Sequence, residues 1–168
     1  MRYKHSHGSV EPVLKLLLDR NRDLEITDEM LEAAEETDEM EVLLQRRSKE
    51  QTISSKVLEK AADRHSKAET LVAQLLKHDK SVKITPPVVH AAMRSSSGTE
   101  SFVRTLFEHD PTLDINRDDL ISLVYHWRSD EDTRKIMNVL FEYGKTVEFT
   151  AEIRKLWMRR FGIRVTKR

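Results

Sequence analysis

The chain is predicted to be all-α, an α-helical solenoid of stacked helix–loop–helix repeats without β-hairpin fingers. Three observations lead there. Ile26-Thr27, Ile53-Ser54, Ile84-Thr85, Ile115-Asn116 and Phe149-Thr150 recur at spacings of 27, 31, 31 and 34 residues, and the second member of each pair is a residue type that favours the start of a helix. Apolar doublets four residues apart follow the second, third and fourth pairs, with a weaker copy after the first, and place a broad apolar stripe on one side of a helix. With four glycines in 168 residues and no β-rich run, little in the sequence favours sheets or tight hairpins.

In chain order, Val13-Leu14 with Leu17-Leu18 reads as a second helix without its first, leaving an apolar end that needs a cap or a neighbour. The first helices then carry the apolar pairs Met30-Leu31, Val57-Leu58, Val88-Val89 and Leu120-Ile121, with Ala34, Ala61, Ala92 and Leu123 eight residues after each opening Ile. Three of those four are small, as close approach of two helices requires. Thr85 is followed by Pro86 at the first helical position, where a missing N–H costs nothing. The second helices carry Met40 with Leu43-Leu44, Leu71-Val72 with Leu75-Leu76, Phe102-Val103 with Leu106-Phe107, and Ile136-Met137 with Leu140-Phe141. From the later doublet to the next opening residue is nine or ten residues throughout, whereas the stretch inside a unit varies from 17 to 25. Insertions therefore gather on one edge. The expected organisation is a flexible tail over residues 1–8 and one helical-repeat domain over 9–168, with units starting near 26, 53, 84, 115 and 149 and a basic capping helix at 150–162.

Thr85-Pro86-Pro87-Val88-Val89-His90-Ala91-Ala92, followed by Phe102 to Asp110, resembles an ankyrin repeat. It resembles more closely the degenerate ankyrin-like helical repeats of the form Ile-Thr-x-x-Val-Val-x-Ala-Ala found in arrays at the end of large fungal signalling proteins. The resemblance covers most of residues 9–150 and implies protein–protein recognition. The glycine-containing turn that closes an ankyrin unit is replaced by Asp79-Lys80-Ser81 and Asp110-Pro111-Thr112, so plain helix–loop–helix units are expected.

Leu, Ile, Val and Phe supply 44 of the 168 residues, enough for a packed core. No cysteine is present, which removes disulfide scaffolds, thiol nucleophiles and cysteine-bound metal, and points to the cytoplasm, with the nucleus as the alternative. The 29 basic and 29 acidic residues cancel, and no apolar run reaches membrane-spanning length. His78-Asp79 and His109-Asp110 invite an acid–base reading, but they stand one repeat period apart at the ends of second helices. There a protonated His meets the helix's partial negative end and Asp starts the turn. His5-x-His7 is a poor metal pair without a third ligand, and no nucleotide-binding, hydrolase or metalloprotease motif occurs. The chain is therefore read as no enzyme, with no cofactor and no metal.

Two features rise above the repeat. Tyr125-His126-Trp127 ends the fourth unit's first helix and offers an aromatic anchor, unless Trp127 packs under the terminal helix. Residues 152–168 hold seven basic groups against Glu152 alone, among them Arg154, Lys155, Arg159 and Arg160, whereas residues 19–52 hold twelve acidic against five basic. The expected function is a non-catalytic module that binds another protein. The alternatives are a self-assembling subunit stacked head to tail, or contact with nucleic acid or anionic lipid through the basic C-terminal segment. Overall neutrality and the lack of a continuous basic face disfavour the last.

Overall fold

The computed structural model describes residues 11–95, 99–116, 119, 130–144 and 155. Tyr125, His126 and Trp127 lie outside the described residues, as do Arg154, Arg159, Arg160 and the tail at 1–8. Among the described residues there are eight α-helices and no strand, an all-α arrangement. They are α1 (Glu11–Arg20), α2 (Asp28–Ala33), α3 (Thr37–Arg46), α4 (Ser55–Ala62), α5 (Ala68–His78), α6 (Pro86–Arg94), α7 (Thr99–His109) and α8 (Asp130–Glu142). A short 3-10 turn, His65–Lys67, leads into α5. The chain divides into two compact units, Met1–Val82 and Lys83–Arg168.

In the first unit α1 packs on α3 and α3 on α5, while α2 packs on α4; α2 also meets α3, and α4 meets α5. This is two layers of helices. The core between them contains Leu31, Met40, Leu58, Leu71 and Leu75, each fully buried. Ala34 and Ala61 are buried as well, at the positions where small residues allow helices to approach. Polar bonds add to the packing of one hairpin on the next: Lys56 with Glu32 (3.0 Å), Arg64 with Glu35 (3.1 Å) and the Glu32 carbonyl (2.9 Å), and Lys67 with Glu36. Such exposed pairs contribute little singly, but each joins a side chain of the later hairpin to the earlier one.

In the second unit α6 packs on α7 and α7 on α8. Val88, Ala92, Phe102, Phe107, Ile136, Val139 and Leu140 form its core, and Phe107 stacks on Tyr143 with ring centroids 5.0 Å apart. Helix α8 stops where Gly144 takes a left-handed φ of +67°, and its N–H bonds the Phe141 carbonyl (3.0 Å). Glycine adopts that φ without a Cβ penalty.

Three expectations need correcting. The doublet rule buries Phe141, yet Phe141 is 58 % exposed and Val139 takes the inward place, so α8 uses an i, i+1, i+3, i+4 stripe. The doublets of α1 are likewise mostly outside: Leu18 is buried and Leu14 half-buried, whereas Val13 and Leu17 are exposed. Thr27, Ser54 and Thr85 do stand at helix N-caps, but their hydroxyls make no capping hydrogen bond. Those of Thr27 and Ser54 bond the carboxylates of Glu29 and Asp28 instead. After Thr85, prolines at 86 and 87 remove the first two donors, and the N–H of Val88 goes to the Thr85 carbonyl (3.0 Å).

Candidate partner-binding surface

Helices α1 and α5 carry the same pattern in the same register, nine residues before Ile26 and Ile84. Val13 corresponds to Leu71, Leu17 to Leu75 and Leu24 to Val82. Leu71, Leu75 and Val82 are buried, at 5 % exposure or less, while Val13, Leu17 and Leu24 are 50–59 % exposed. Leu16, 55 % exposed, corresponds to Val42 of α3 and Val139 of α8, both buried. Helix α5 has α3 on one side and its own first helix, α4, on another. Helix α1 has α3, to which Arg46 ties it through the Leu18 carbonyl (2.7 Å), and among the described residues no first helix of its own hairpin. Its apolar face is the one that α5 buries.

Along the border of α1 and α3 runs an open groove lined by Glu11, Lys15, Asp38, Glu41, Val42 and Gln45. Lys15 pairs with Glu11 (2.5 Å), so the lining keeps a net negative charge. Helix α1 therefore presents an apolar ridge of Val13, Leu16 and Leu17, and the acidic groove borders its opposite side through Glu11 and Lys15.

The other polar clusters serve the fold. Arg47, 8 % exposed, ends α3 and spreads its guanidinium over the Ile26 carbonyl (3.0 Å), the Thr52 carbonyl (2.8 Å) and the Asp28 carboxylate (2.6 Å). Burial alone would raise the Asp28 carboxyl, but the hydroxyl and amide of Ser54 together with Arg47 hold it below its ordinary range. Asp79 occupies the corresponding place after α5 and accepts from the Ile53 amide (2.7 Å), the Ser81 amide (2.8 Å) and the Ser81 hydroxyl (2.6 Å). The effect of burial is again outweighed, here by the bonds from Ser81 and Ile53, and its pKa too is lowered. Asp110 repeats the turn on the amide (2.9 Å) and hydroxyl (2.6 Å) of Thr112. His78 departs from the expected cation. Burial, and then the charge of Arg47, lower its pKa, so at neutral pH it is the uncharged imidazole that ends α5. Its Nε2 and the Arg47 Nε are buried without a hydrogen-bond partner.

His90 Nδ1 lies 3.5 Å from the buried Asp119 carboxylate, the sort of pair an acid–base catalyst uses. Asp119 exchanges two hydrogen bonds with Asn116, amide to side chain in each direction (2.9 and 3.3 Å), which is the geometry of a helix start. Among the described residues no group of three or more His, Asp or Glu side chains is placed to hold a metal. Of the sites singled out from sequence, Lys155 alone is described: it is helical and exposed.

No family model, curated protein or solved structure matches the chain. The surface of α1 thus stands on its geometry. Sequence reasoning marked Val13 and Leu17 as an end needing a neighbour but missed Leu16 and Leu24. The signal for Leu16 was there, an apolar residue where α5 has Gln74 and α7 has Thr105.

Proposed function

We propose that the chain is a non-catalytic protein-interaction module, an ankyrin-like solenoid of helix–loop–helix repeats whose open α1 face receives a helix from another protein. The observation that carries this reading is the exposure of Val13, Leu16, Leu17 and Leu24 at positions that the inner helices bury. Exposed apolar residues at helical spacing, as Val13, Leu16 and Leu17 are, mark interaction sites, and a helix laid against an apolar helix face is a recurrent recognition mode read through side chains at helical spacing. The layered packing of α1, α3 and α5 against α2 and α4 fits a repeat array, in which each hairpin covers the apolar side of the next.

Affinity capture with the wild-type chain and with Leu16→Asp/Leu17→Asp, followed by mass spectrometry, tests the reading. A protein held by the wild type and lost from the variant is the expected result. A set of captured proteins identical for both chains would remove α1 as the binding surface.

A further inference from the structure

The turn that joins α3 to α4 is held from two sides by ionised groups. From one side Arg47 closes it, donating to the Ile26 carbonyl, the Thr52 carbonyl and the Asp28 carboxylate. Asp28 in turn accepts from the Ser54 amide (3.1 Å). From the other side Asp79, which follows α5, takes the Ile53 amide on one oxygen (2.7 Å) and the Ser81 amide and hydroxyl on the other. His78 ends α5 at this junction, within the field of Arg47, and its Nε2 is buried without a partner, as is the Arg47 Nε. We propose that this turn is an acid-sensitive clasp: a proton taken up by His78 loosens residues 46–54 while the second unit keeps its structure.

The reason lies in what a proton does to Nε2. A neutral imidazole with its hydrogen on Nδ1 turns only a lone pair toward the interior. The imidazolium has an N–H on both nitrogens, so Nε2 becomes a buried, charged donor without an acceptor, the costly case for a desolvated group. The buried Arg47 Nε is a donor too and offers it nothing. The charged groups that act on His78 are Arg47 and Lys49 from the turn after α3, and Asp79 from its own turn. Two of the three are cations. Among the described residues, no charged side chain of α4 or of the 3-10 turn, which also pack on α5, adds to them. Asp79 is the carboxylate of the set, and it turns to the imidazolium only by giving up Ile53 or Ser81. Either response weakens the clasp: repulsion pushes at Arg47, and capture of Asp79 frees an amide that the turn needs bonded. Burial and Arg47 hold the His78 pKa below its ordinary value, so the loosened turn takes the proton first, and opening grows as pH falls below about 6.5. Because α1 packs on α3, acid also reaches the footing of the exposed α1 face.

Hydrogen exchange of the full chain, followed amide by amide by NMR at pH 7.5 and pH 5.5 and corrected for intrinsic rates, tests this. The reporters are the amides of Arg47, Ile53 and Ser54, which bond the Leu43 carbonyl, Asp79 and Asp28. Their protection should fall several-fold over this range, with about tenfold per pH unit as the limit for one linked proton. Protection of Leu106 and Tyr143 in the second unit should hold. In His78→Asn the same three amides should lose their pH dependence. The comparison of the two regions in the wild type needs no substituted protein, so it decides the matter even where that variant fails to fold. Unchanged protection at the three amides, an equal loss at Leu106 and Tyr143, or a loss that persists in His78→Asn would overturn the inference. The readout is the turn itself and requires no partner, so such a failure leaves the capture experiment and the reading of α1 untouched.

Discussion

Helices α1 and α5 have nearly the same apolar pattern and opposite surroundings. In α5 the doublets Leu71-Val72 and Leu75-Leu76 are wholly inside, with α3 and α4 packed against them. Among the described residues α1 packs chiefly on α3, and of Val13-Leu14 and Leu17-Leu18 only Leu18 is fully buried. The difference shows that periodicity states which face a helix can bury, while the neighbours present state which residues are buried. An apolar stripe that its described neighbours leave open becomes a surface, and α1 is that surface here.

The comparison can be broken most severely at Arg47, which fastens the turn after α3 to the first hairpin. Arg47→Ala should cost about 3–5 kcal/mol in urea unfolding, since it leaves the buried Ile26 carbonyl and the part-buried Thr52 carbonyl without this donor and takes the guanidinium from the Asp28 carboxylate, which keeps the Ser54 amide. A loss below about 1 kcal/mol would show that the guanidinium is not what joins these turns.

A paired truncation measures the difference between the helices directly. Leu75→Ala should cost about 2–5 kcal/mol as a buried leucine loss, whereas Leu17→Ala, half exposed at the corresponding position, should stay within about 0.5 kcal/mol. Equal costs at the two sites would mean that α1 is covered in solution. Phe107 and Leu106 in α7 are buried like the α5 doublets, so Leu106→Ala is expected to behave as Leu75→Ala does.

Acid should sharpen the contrast in a smaller way. His78 has a lowered pKa in the folded protein, so the unfolded chain binds its proton first. Its stabilising share is complete above the unfolded value of about 6.5 and is lost as pH falls from there through the folded value. Asp28 and Asp79 are also lowered, and their share goes in a second step, below about 4. Urea midpoints followed from pH 8 to pH 3 should therefore fall in two stages. His78→Asn should remove the upper stage and keep the lower. A wild type with constant stability between pH 7 and pH 5 would contradict the part-buried, uncharged imidazole.

The smallest effect is expected at Thr85. Cap-to-Ala changes ordinarily cost about 1 kcal/mol, but Thr85 makes no side-chain capping bond to a helix that starts with two prolines, so Thr85→Ala should cost less than an ordinary cap loss in the same melts. A full cap-sized loss would show that the hydroxyl reaches the helix end after all.

Helix class and register were legible in the sequence because both follow from local chemistry. Apolar spacing at 3.6 residues per turn, residue types that favour helix starts, and Pro86 act within one turn and need no knowledge of neighbours. Ala34, Ala61 and Ala92 could be placed in the interior for the same reason, since their size is itself the signal of close approach. Packing decided what spacing leaves open. Whether Phe141 or Val139 faced inward depended on the α7 surface beside α8, and whether the hydroxyls of Thr27 and Ser54 met a helix N–H or a nearby carboxylate depended on which side chains lay within reach. Arg47, Asp28 and Ile26 lie up to 21 residues apart, and no local rule joins them. Their assembly around one buried guanidinium, the neutral state of His78 beside it and the uncovered face of α1 exist only once the helices are stacked, because desolvation and contact are properties of the neighbours a residue acquires.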